Sequence, residues 1–387
     1  MKKLQVDSLA EKKIKQGIQL LYSRDIKVDF ELNQLVSLFN KNNQFLGTAY
    51  LSEQNKGIGW VLSKNEVVLD LNYFIALFKV AKSKRHDYIL STQTNAFRVF
   101  NQDGDHFGGL TIDIYDDFAL FSWYNEFVVS QKAIILEAFN LVFPEINGIY
   151  EKLRIKNASY QSAHLYGKEA PEKFLIKEND INYQIFLNDG LMTGIFLDQH
   201  DVRNHLTKGL ANQKSVLNLF SYTAAFSVAS VVGGAKKTDS VDLAKRSKEL
   251  SIAHFKANNL PLDNHNFIIM DVFEYFKYAK RKQLKYDLII IDPPSFARNK
   301  KQTFSVQKDY HRLVSQSLDI LEPNGSLILS TNAANLTKKQ FKKQIEKGLG
   351  KVNYDITQFQ QLPNDFTVNN SDESSNYLKV FTIKVTQ

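Results

Sequence analysis

Tyr286-Asp-Leu-Ile-Ile-Ile-Asp-Pro-Pro-Ser-Phe296 is the stretch that decides the predicted fold of this chain. Its four consecutive apolar residues, 288–291, predict a short strand that is buried on both faces, as in a parallel sheet. The strand must end at Asp292, because Pro293 and Pro294 have no N–H group to donate to a β-ladder. A carboxylate would then stand at the carboxyl end of a central strand, where open α/β sheets bind ligands. An ordinary buried strand that ends in a Pro-Pro turn is the alternative.

The composition limits the classes of protein that the chain can belong to. Its 387 residues exceed one ordinary core, so two or three domains are expected. There is no cysteine, which excludes disulfides, thiolate metal sites and cysteine nucleophiles. The net charge of +8 suits a polyanionic partner such as RNA, although many basic proteins bind no nucleic acid.

No stretch of the chain predicts export or membrane insertion. The residues after Met1 turn polar at once, unlike a signal peptide. The uncharged window 215–235 contains Asn218, Ser221 and Thr223, and is too polar for the ~18 apolar residues that a membrane span needs. We therefore expect a cytoplasmic protein with no membrane partner.

Residues 1–71 predict a small β-rich domain. Apolar runs with period-two alternation lie at 44–51, 57–62 and 67–71, and glycine-containing turns separate them. The lysines of segment 11–17 could form a basic lip that contacts RNA phosphates or could be the solvated face of a helix. The sequence does not decide between these two interpretations.

Residues 72–187 predict a second domain of mixed α/β type. Apolar side chains at helical spacing predict helices over 72–85 and 130–143, and Pro144 stops the second. The expected strands are 96–100, 109–115, 118–124, a closing pair at 149–150 and 153–155, and a hairpin of 174–176 with 181–187. The many aromatic residues favour core packing over a base-stacking platform.

Residues 188–387 predict a doubly wound parallel sheet, because strands and helices alternate regularly from position 215 onward. The first strand, 215–220, runs through a small-residue turn into a helix over 226–232, an arrangement that can cradle a nucleoside. The G-x-G-x-x-G fingerprint is absent, and an ordinary strand-to-helix turn is the alternative. The final segment, 377–385, alternates cleanly and predicts the closing edge strand of the sheet.

Acidic residues end three successive strands of this predicted sheet. Asp242 ends the second strand, 237–242, Asp271 follows the third, 266–270, and Asp292 ends the fourth. A carboxylate at the end of the second strand can accept hydrogen bonds from both ribose hydroxyls. A ligand that contains a nucleoside, bound along this edge, is the strongest inference from the residues alone.

These motifs resemble those of one family, the bacterial large-subunit (23S) ribosomal RNA methyltransferases that use S-adenosylmethionine. The matching stretches are Gly109-Leu-Thr-Ile-Asp113, Phe196-Leu-Asp-Gln-His-Asp-Val-Arg203, Val216-Leu-Asn-Leu-Phe-Ser-Tyr-Thr-Ala-Ala-Phe226, Ser240-Val-Asp242, Asp271-Val-Phe273 and Asp292-Pro-Pro-Ser-Phe296. The resemblance implies an α/β fold with a C-terminal Rossmann-like class I methyltransferase sheet. A small mixed α+β domain and an N-terminal, β-rich PUA-like domain that binds RNA would precede that sheet.

The resemblance also implies the roles of individual residues. The implied S-adenosylmethionine contacts are Gln199, Arg203, Asn218, Phe220, Ser221, Asp242, Asp271 and Asp292. Pro293, Pro294 and Phe296 would hold a flipped base. Beyond the resemblance, we expect Asp292 to orient the base edge or accept a proton and Tyr310 to close the pocket. The basic run 298–301 would contact flanking phosphates or be a solvated loop. The implied partner is RNA, either 23S rRNA or a large-subunit precursor, and the oligomeric state is open, a homodimer included.

The chain departs from the family pattern in two places. His106-Phe107-Gly108 replaces the Gly-Leu-Pro loop of the middle domain, with no evident consequence. Relatives that make 5-methylcytosine carry Ser-Cys where this chain has Ser330-Thr331, and a threonine hydroxyl cannot replace a thiolate without an adjacent base.

Ser330-Thr331-Asn332 resembles instead the relatives that methylate a guanine ring nitrogen such as N7. We therefore expect direct methyl transfer to an extruded base, without a cysteine adduct. A cytosine-C5 methyltransferase with another device and an RNA-binding assembly factor without catalysis are the alternatives.

Overall fold

The computed structural model describes residues 1–298 and 303–386. The chain divides into two compact units. The N-terminal unit comprises residues 1–176, 186–193 and 364–375, and the C-terminal unit comprises 177–185, 194–363 and 376–387. The predicted domain boundaries at residues 71 and 187 are a different division and stay predictions.

The first sheet of the N-terminal unit has five strands in the order β1-β3-β4-β5-β2. Its elements are β1 (Lys2–Gln5), α1 (Ser8–Gln16), β2 (Leu20–Leu21), β3 (Gln34–Phe39), β4 (Phe45–Gln54) and β5 (Gly57–Ser63). The predicted strands over 44–51 and 57–62 are confirmed. The strand over 67–71 is wrong, because Asp70 caps the following helix, accepting a hydrogen bond from the N–H of Tyr73 at 2.8 Å.

The basic segment 11–17 lies largely on α1. The Lys15 ammonium is 2.6 Å from a carboxylate oxygen of Glu11, and the Lys13 ammonium is 3.3 Å from one of Asp25. Because two of its lysines pair within the protein, the helix-face interpretation is the better supported one.

The second sheet of this unit has the order β10-β9-β8-β7-β6, and helices cover it. Its elements are α2 (Leu71–Lys84), α3 (His86–Ile89), β6 (Ala96–Asn101), β7 (Leu110–Tyr115), β8 (Phe118–Trp123), α4 (Glu126–Ser130), α5 (Lys132–Val142), β9 (Gly148–Leu153) and β10 (Ser162–Gly167). The aromatic side chains form the core, as expected: Phe78 of α2 and Phe139 of α5 meet edge to face at 5.6 Å. The predicted closing pair of strands, 149–150 with 153–155, is wrong. Residues 148–153 form one strand, β9, which pairs with β10 further along the chain.

The loop His106-Phe107-Gly108 is also a packing element. Phe107 is fully buried and lies edge to face with Phe74, with ring centroids 5.3 Å apart. The Tyr50 hydroxyl donates to the Gly108 carbonyl at 2.7 Å. A Cβ on Gly108 would lie 2.1 Å from the Trp60 ring, so a larger residue cannot be accommodated there without movement.

A seven-stranded sheet in the order β15-β14-β13-β16-β19-β21-β20 forms the C-terminal unit. Strands and hairpins from 174 onward are β11 (Phe174–Glu178), β12 (Ile181–Ile185), β13 (Ser215–Leu219), β14 (Lys237–Asp242), β15 (His265–Ile269), β16 (Tyr286–Ile291), β17 (Phe296–Arg298), β18 (Thr303–Ser305), β19 (Leu321–Thr331), β20 (Asn353–Gln360) and β21 (Lys379–Thr386). The helices are α6 (His200–His205), α7 (Ala225–Val232), α8 (Lys245–Ala257), α9 (Val272–Arg281), α10 (Val306–Leu318) and α11 (Lys338–Leu349).

The predicted doubly wound sheet is confirmed, because β15, β14, β13, β16 and β19 pair in parallel. The prediction that the last strand closes the edge is wrong. β21 pairs antiparallel with β19 on one side and with β20 on the other. The edge strand is β20, which sequence reasoning missed because its residues are exposed or half-buried and show no buried alternation.

Among the described residues, no helix is both long and apolar enough to cross a membrane. The uncharged window 215–235 contains the central strand β13 and the buried helix α7.

Candidate active site

The loop between β13 and α7 has an unusual backbone. Phe220, Tyr222 and Ala224 adopt positive φ angles of 57°, 49° and 58°. This left-handed conformation costs a residue with a side chain about 1–3 kcal/mol, and it persists only where surrounding contacts hold it. Three such residues in five positions point to a loop whose shape serves a ligand.

Hydrogen bonds hold this loop from several sides. The Tyr222 N–H donates to Asp242 Oδ2 at 2.9 Å, and the Thr223 hydroxyl donates to the Gly194 carbonyl at 2.7 Å. His254 is buried, and its Nδ1 lies 3.0 Å from the Thr223 carbonyl. Burial lowers the pKa of His254 to about 4, so that the ring is neutral near pH 7.

Asp242 stands at the end of β14 with both carboxylate oxygens directed by the backbone. Oδ2 accepts from Tyr222, and Oδ1 accepts from the N–H of Ala244 at 2.9 Å. Because each carboxylate oxygen can accept two hydrogen bonds, Asp242 keeps capacity for two further donors. A ribose diol supplies two donors of this kind.

Two buried side-chain amides, Asn218 in β13 and Gln199 in the short helical turn before α6, each have an unused oxygen. Asn218 donates from Nδ2 to the Ser227 hydroxyl at 3.0 Å, and Gln199 donates from Nε2 to the Ser330 hydroxyl at 2.8 Å. Within the described part of the chain, Asn218 Oδ1 and Gln199 Oε1 are buried without a hydrogen-bond partner. An unpaired buried acceptor costs about 1–3 kcal/mol, which a ligand that donates to it would recover.

Asp292 follows β16 at the centre of the sheet. Burial is the main cause that raises the pKa of its carboxyl, and the nearby Asp198 carboxylate adds to it. Hydrogen bonds from Ser330 and Gln199 and the charge of Arg203 lower the pKa, and the net value is about 6. The Asp292 carboxyl is therefore mostly ionised at pH 7, which is only about one pH unit above its pKa. Carboxylates with shifted pKa values in a cleft are frequent at active sites.

The residues after Asp292 form a rigid turn and an exposed platform. Pro293 is buried, whereas Phe296 is 62% exposed at the start of β17. The Ser295 hydroxyl donates to Asn332 Oδ1 at 2.9 Å, which ties the turn to the end of β19. The hairpin of β17 with β18 was not predicted from the sequence.

Tyr310 lies next to the end of β16, and its role in closing a base pocket stays a prediction. It is fully buried on α10, its hydroxyl donates to the Ile291 carbonyl at 3.0 Å, and its ring lies edge to face with Phe341 at 4.7 Å. Tyr310 therefore supports the end of β16 from the core. Closing a base pocket would require its ring to leave that core.

Arg203 and Asp271 already have structural bonds. Arg203 is buried, and its Nε and Nη2 donate to the Glu178 carboxylate at 2.6 and 2.7 Å. Asp271 caps α9 and accepts a hydrogen bond from the N–H of Phe273 at 2.9 Å. Cofactor contacts of these two residues stay predictions, as do those of all the other candidate site residues.

Sequence reasoning missed Glu178 and His254. Their partners are distant in the chain, and the sequence carries no signal of these contacts. Of the predicted basic run 298–301, the structure describes only the backbone of residue 298, which ends β17. Residues 299–301 lie outside the described residues.

Comparison with known proteins identifies the family. Residues 150–352 match the family described as S-adenosylmethionine-dependent methyltransferase, and residues 4–64 match a PUA-like domain. The chain belongs to the S-adenosylmethionine-dependent methyltransferases. The predicted Rossmann-like sheet and the PUA-like N-terminal domain are thereby confirmed.

Individual methyltransferases resemble the chain over most or all of its length. The Bacillus subtilis (strain 168) protein YwbD, provisionally named a ribosomal RNA large subunit methyltransferase, is 38% identical over 99% of this chain and 100% of its own length. The Aeromonas salmonicida (strain A449) protein "Ribosomal RNA large subunit methyltransferase I" is 29% identical over 76% of this chain and 74% of its own. A crystal structure of SMU.776, provisionally a methyltransferase and complexed with SAH, is 62% identical, covers 100% of both chains and has a TM-score of 0.96.

The cofactor of this methyltransferase is S-adenosylmethionine, and the residues at the sheet edge fit it. S-adenosylmethionine carries an ammonium, two ribose hydroxyls and an adenine amino group, and all of these groups are hydrogen-bond donors. Gln199 Oε1 and Asn218 Oδ1 are acceptors that, in the residues described, have no partner, and Asp242 accepts only one backbone N–H on each oxygen. The donor-rich cofactor would therefore satisfy acceptors that the protein leaves open.

Proposed function

We propose that this methyltransferase methylates a base of large-subunit ribosomal RNA, either 23S rRNA or its precursor, by direct transfer to a ring nitrogen such as guanine N7. The observation that carries the proposal is the Asp292 carboxyl at the end of β16, whose pKa of about 6 leaves it ionised at neutral pH, followed four residues later by the exposed side chain of Phe296. The names of relatives that match most or all of the chain support the RNA substrate.

The choice of a ring nitrogen follows from the chemistry of the bases. Bound S-adenosylmethionine supplies a methyl carbon that is electrophilic because it is attached to a sulfonium. Guanine N7 has a lone pair in the ring plane, so the N–C bond can form as the S–C bond breaks, and no proton must leave the base. Cytosine C5 lacks such a lone pair and needs a nucleophile added at C6, and the chain has no cysteine to supply one.

The residues at the edge would position and stabilise the reacting base. The Asp292 carboxylate can accept N–H groups of the base edge, and its negative charge favours the positive charge that N7 methylation places on guanine. The exposed Phe296 ring offers a face on which the extruded base can stack. Positioning of this kind contributes up to ~7–11 kcal/mol to catalysis.

The proposal extends to the cellular context. RNA of the large subunit is its partner, and a cytoplasmic location follows from that partner. A homodimer stays a prediction, which light scattering of the purified chain tests.

The experiment combines genetics with product analysis. Deleting the gene and comparing nucleosides of the large-subunit RNA by mass spectrometry should reveal one missing modification, N7-methylguanosine. The purified protein with radiolabelled S-adenosylmethionine should restore it. Restoration of 5-methylcytosine would contradict direct transfer. Calorimetry that detects RNA binding but no S-adenosylmethionine binding would favour a non-catalytic assembly factor.

A further inference from the structure

The N-terminal unit contains a cleft of about 340 Å³ that the methyl-transfer site does not use. Its walls come from the end of β4 and from the segments that follow β8 and β9, and the residues used below are Asn33, Glu53, Gln54, Tyr124, Glu126, Arg154 and Lys156. The volume lies at the lower end of the range for small-molecule sites and suits one planar base. We propose that this cleft binds one unpaired nucleotide of the substrate RNA, with the base inside and its phosphate at the rim. The proposal rests on the RNA substrate proposed above.

A planar face is available inside the cleft. The Tyr124 ring is partly buried at its wall, and the guanidinium carbon of Arg154 lies 5.9 Å from the ring centroid. Bases stack on aromatic rings and on guanidinium planes in single-stranded RNA sites. Tyr124 and Arg154 together can therefore hold a base by its face.

Two hydrogen-bond donors in the cleft wall have no acceptor. Gln54 is oriented through its oxygen, which accepts from Trp60 Nε1 and Asn125 Nδ2, both at 3.0 Å. Across residues 1–298 and 303–386, Gln54 Nε2 and Arg154 Nε are buried donors without a partner. The carbonyl oxygens and ring nitrogens of a base are acceptors that would satisfy them after a small adjustment.

The charges at the cleft favour a base in its interior and a phosphate at its rim. Glu126 accepts from Asn33 Nδ2 at 2.7 Å, and Glu53 also faces the cleft, so that the interior repels a free phosphate. Lys156 stands at the rim, 76% exposed, and is 2.5 Å from Glu53, which is 61% exposed. An ion pair so exposed is worth little, and a phosphate can compete for the lysine. A nucleotide of a polymer, with its base inside and its phosphate outside, satisfies both conditions.

The cleft is not a property of the PUA-like domain alone. The match to that domain ends at residue 64, whereas Tyr124, Arg154 and Lys156 lie beyond it. The site therefore exists only in a chain that joins the two sheets of the N-terminal unit, and its test uses the full-length protein.

The test measures binding of a fluorescein-labelled, mixed-sequence RNA hexamer and methyl transfer to total ribosomal RNA from the deletion strain. Tyr124→Ala should raise the hexamer Kd and the RNA KM about tenfold, with kcat and the Kd for S-adenosylmethionine unchanged. Tyr124→Phe keeps the ring and should behave like the wild type. If Tyr124→Ala binds both RNAs as the wild type does, the proposal is wrong.

The phosphate contact has its own variant and a matched control. Lys156→Ala should weaken hexamer binding about threefold and reduce the slope of log Kd against log salt by about 0.7. Lys168→Ala removes a lysine of the same unit that is 62% exposed, is paired with Asp117 at 3.6 Å and lies outside the cleft, and should change neither. If the two variants weaken RNA binding equally, the effect of Lys156 comes from the net charge of the protein and not from a specific phosphate contact, and the proposal is contradicted.

Crosslinking separates this proposal from the proposed function. Irradiation of a complex with a hexamer that contains 4-thiouridine should attach RNA to the peptide that carries Tyr124. Crosslinks confined to other peptides overturn the cleft, whatever the enzyme methylates. A crosslink at Tyr124 in a protein that methylates no RNA would support the cleft and reject the proposed function.

Discussion

Two buried polar clusters, one around Asp105 in the N-terminal unit and one around Gln199 and Asn218 in the C-terminal unit, differ in how fully their atoms are hydrogen-bonded. In the N-terminal unit, Asp105 accepts from Arg85 Nη1 and Nη2 at 2.7 and 2.6 Å and from the Asn101 N–H at 2.7 Å. At the cofactor edge of the C-terminal unit, Gln199 and Asn218 keep a buried oxygen that no described residue contacts. Buried polar groups that are fully hydrogen-bonded stabilise a fold. Buried acceptors without a partner lower its stability, and a ligand that donates to them would offset that cost.

The backbones of the two units differ in the same sense. Positive φ angles in the N-terminal unit fall on glycine or on residues that tolerate them, such as Asn33, Asn43 and Asp116. Among all residues described, Phe220, Tyr222 and Ala224 are the ones at positive φ that are neither glycine nor Asn, Asp, Gln or His. The strained loop directly follows β13, which carries the open acceptor of Asn218, and this proximity supports the proposed cofactor site.

The largest effect should come from breaking the satisfied network. Asp105→Asn leaves the fully buried Arg85 guanidinium without its counter-charge and should lower the free energy of unfolding by about 3–5 kcal/mol, measured by urea denaturation. The control Glu145→Gln opens an exposed ion pair with Lys82 and should cost less than about 1 kcal/mol. Similar losses in the two variants would contradict the stabilising role of the buried Arg85–Asp105 pair.

At the other site, Asp292→Asn should lower methyl transfer about 100-fold or more in single-turnover assays. Its melting temperature should not fall, because burial already disfavours the charge that the substitution removes. Asp287→Asn is the matched control at the opposite end of β16, where the carboxylate accepts from the Ser215 N–H at 2.8 Å. Activity of Asp292→Asn within a few-fold of the control would exclude Asp292 from the reaction.

Asn218→Ala should raise the Kd for S-adenosylmethionine about tenfold in calorimetry, because the acceptor it removes has no partner within the described residues, and the loss of its one hydrogen bond to Ser227 should cost only about 0.5–1.5 kcal/mol of stability. Asn101→Ala in the N-terminal unit should do the reverse. Its amide donates to the Thr367 carbonyl at 2.8 Å and accepts from Arg98 at 3.0 Å, so about 1–3 kcal/mol of stability should be lost without change in cofactor affinity. An unchanged cofactor Kd in Asn218→Ala would show that the open oxygen has another purpose.

The smallest expected effect is the dependence of kcat/KM on pH near neutrality. Since burial raises the pKa of Asp292 to about 6, the active carboxylate is present above that pH, and kcat/KM should fall about tenfold per pH unit below it. Asp292→Asn should have no such acidic limb in its residual activity. An acidic limb that persists in the variant would assign the titration to another group.

Local patterns were sufficient for the main features of the site. The apolar run before Asp292-Pro-Pro predicted β16, and the strand 237–242 has the predicted bounds, with Asp242 at its end. Such features follow from burial, from periodicity and from the missing N–H of proline, which act within a few residues. The absence of cysteine likewise restricted the chemistry before any contact was known.

Contacts between distant residues could not be predicted in this way. The position of β21 between β19 and β20, the pairing of Arg203 with Glu178 and the burial of Tyr310 each depend on partners far along the chain. A charged or aromatic residue in a sequence has many candidate partners, and packing selects among them.

The sequence by itself determined that a carboxylate ends a buried central strand and that no thiol can attack a base, because both follow from local residue chemistry. Only the tertiary structure decided which of the predicted residues keep hydrogen-bonding capacity for a ligand. Gln199, Asn218 and Asp242 do, whereas Arg203 is held by Glu178 and Tyr310 by the end of β16. The physical reason is that a polar group is available to a ligand only if the folded chain has not already satisfied it.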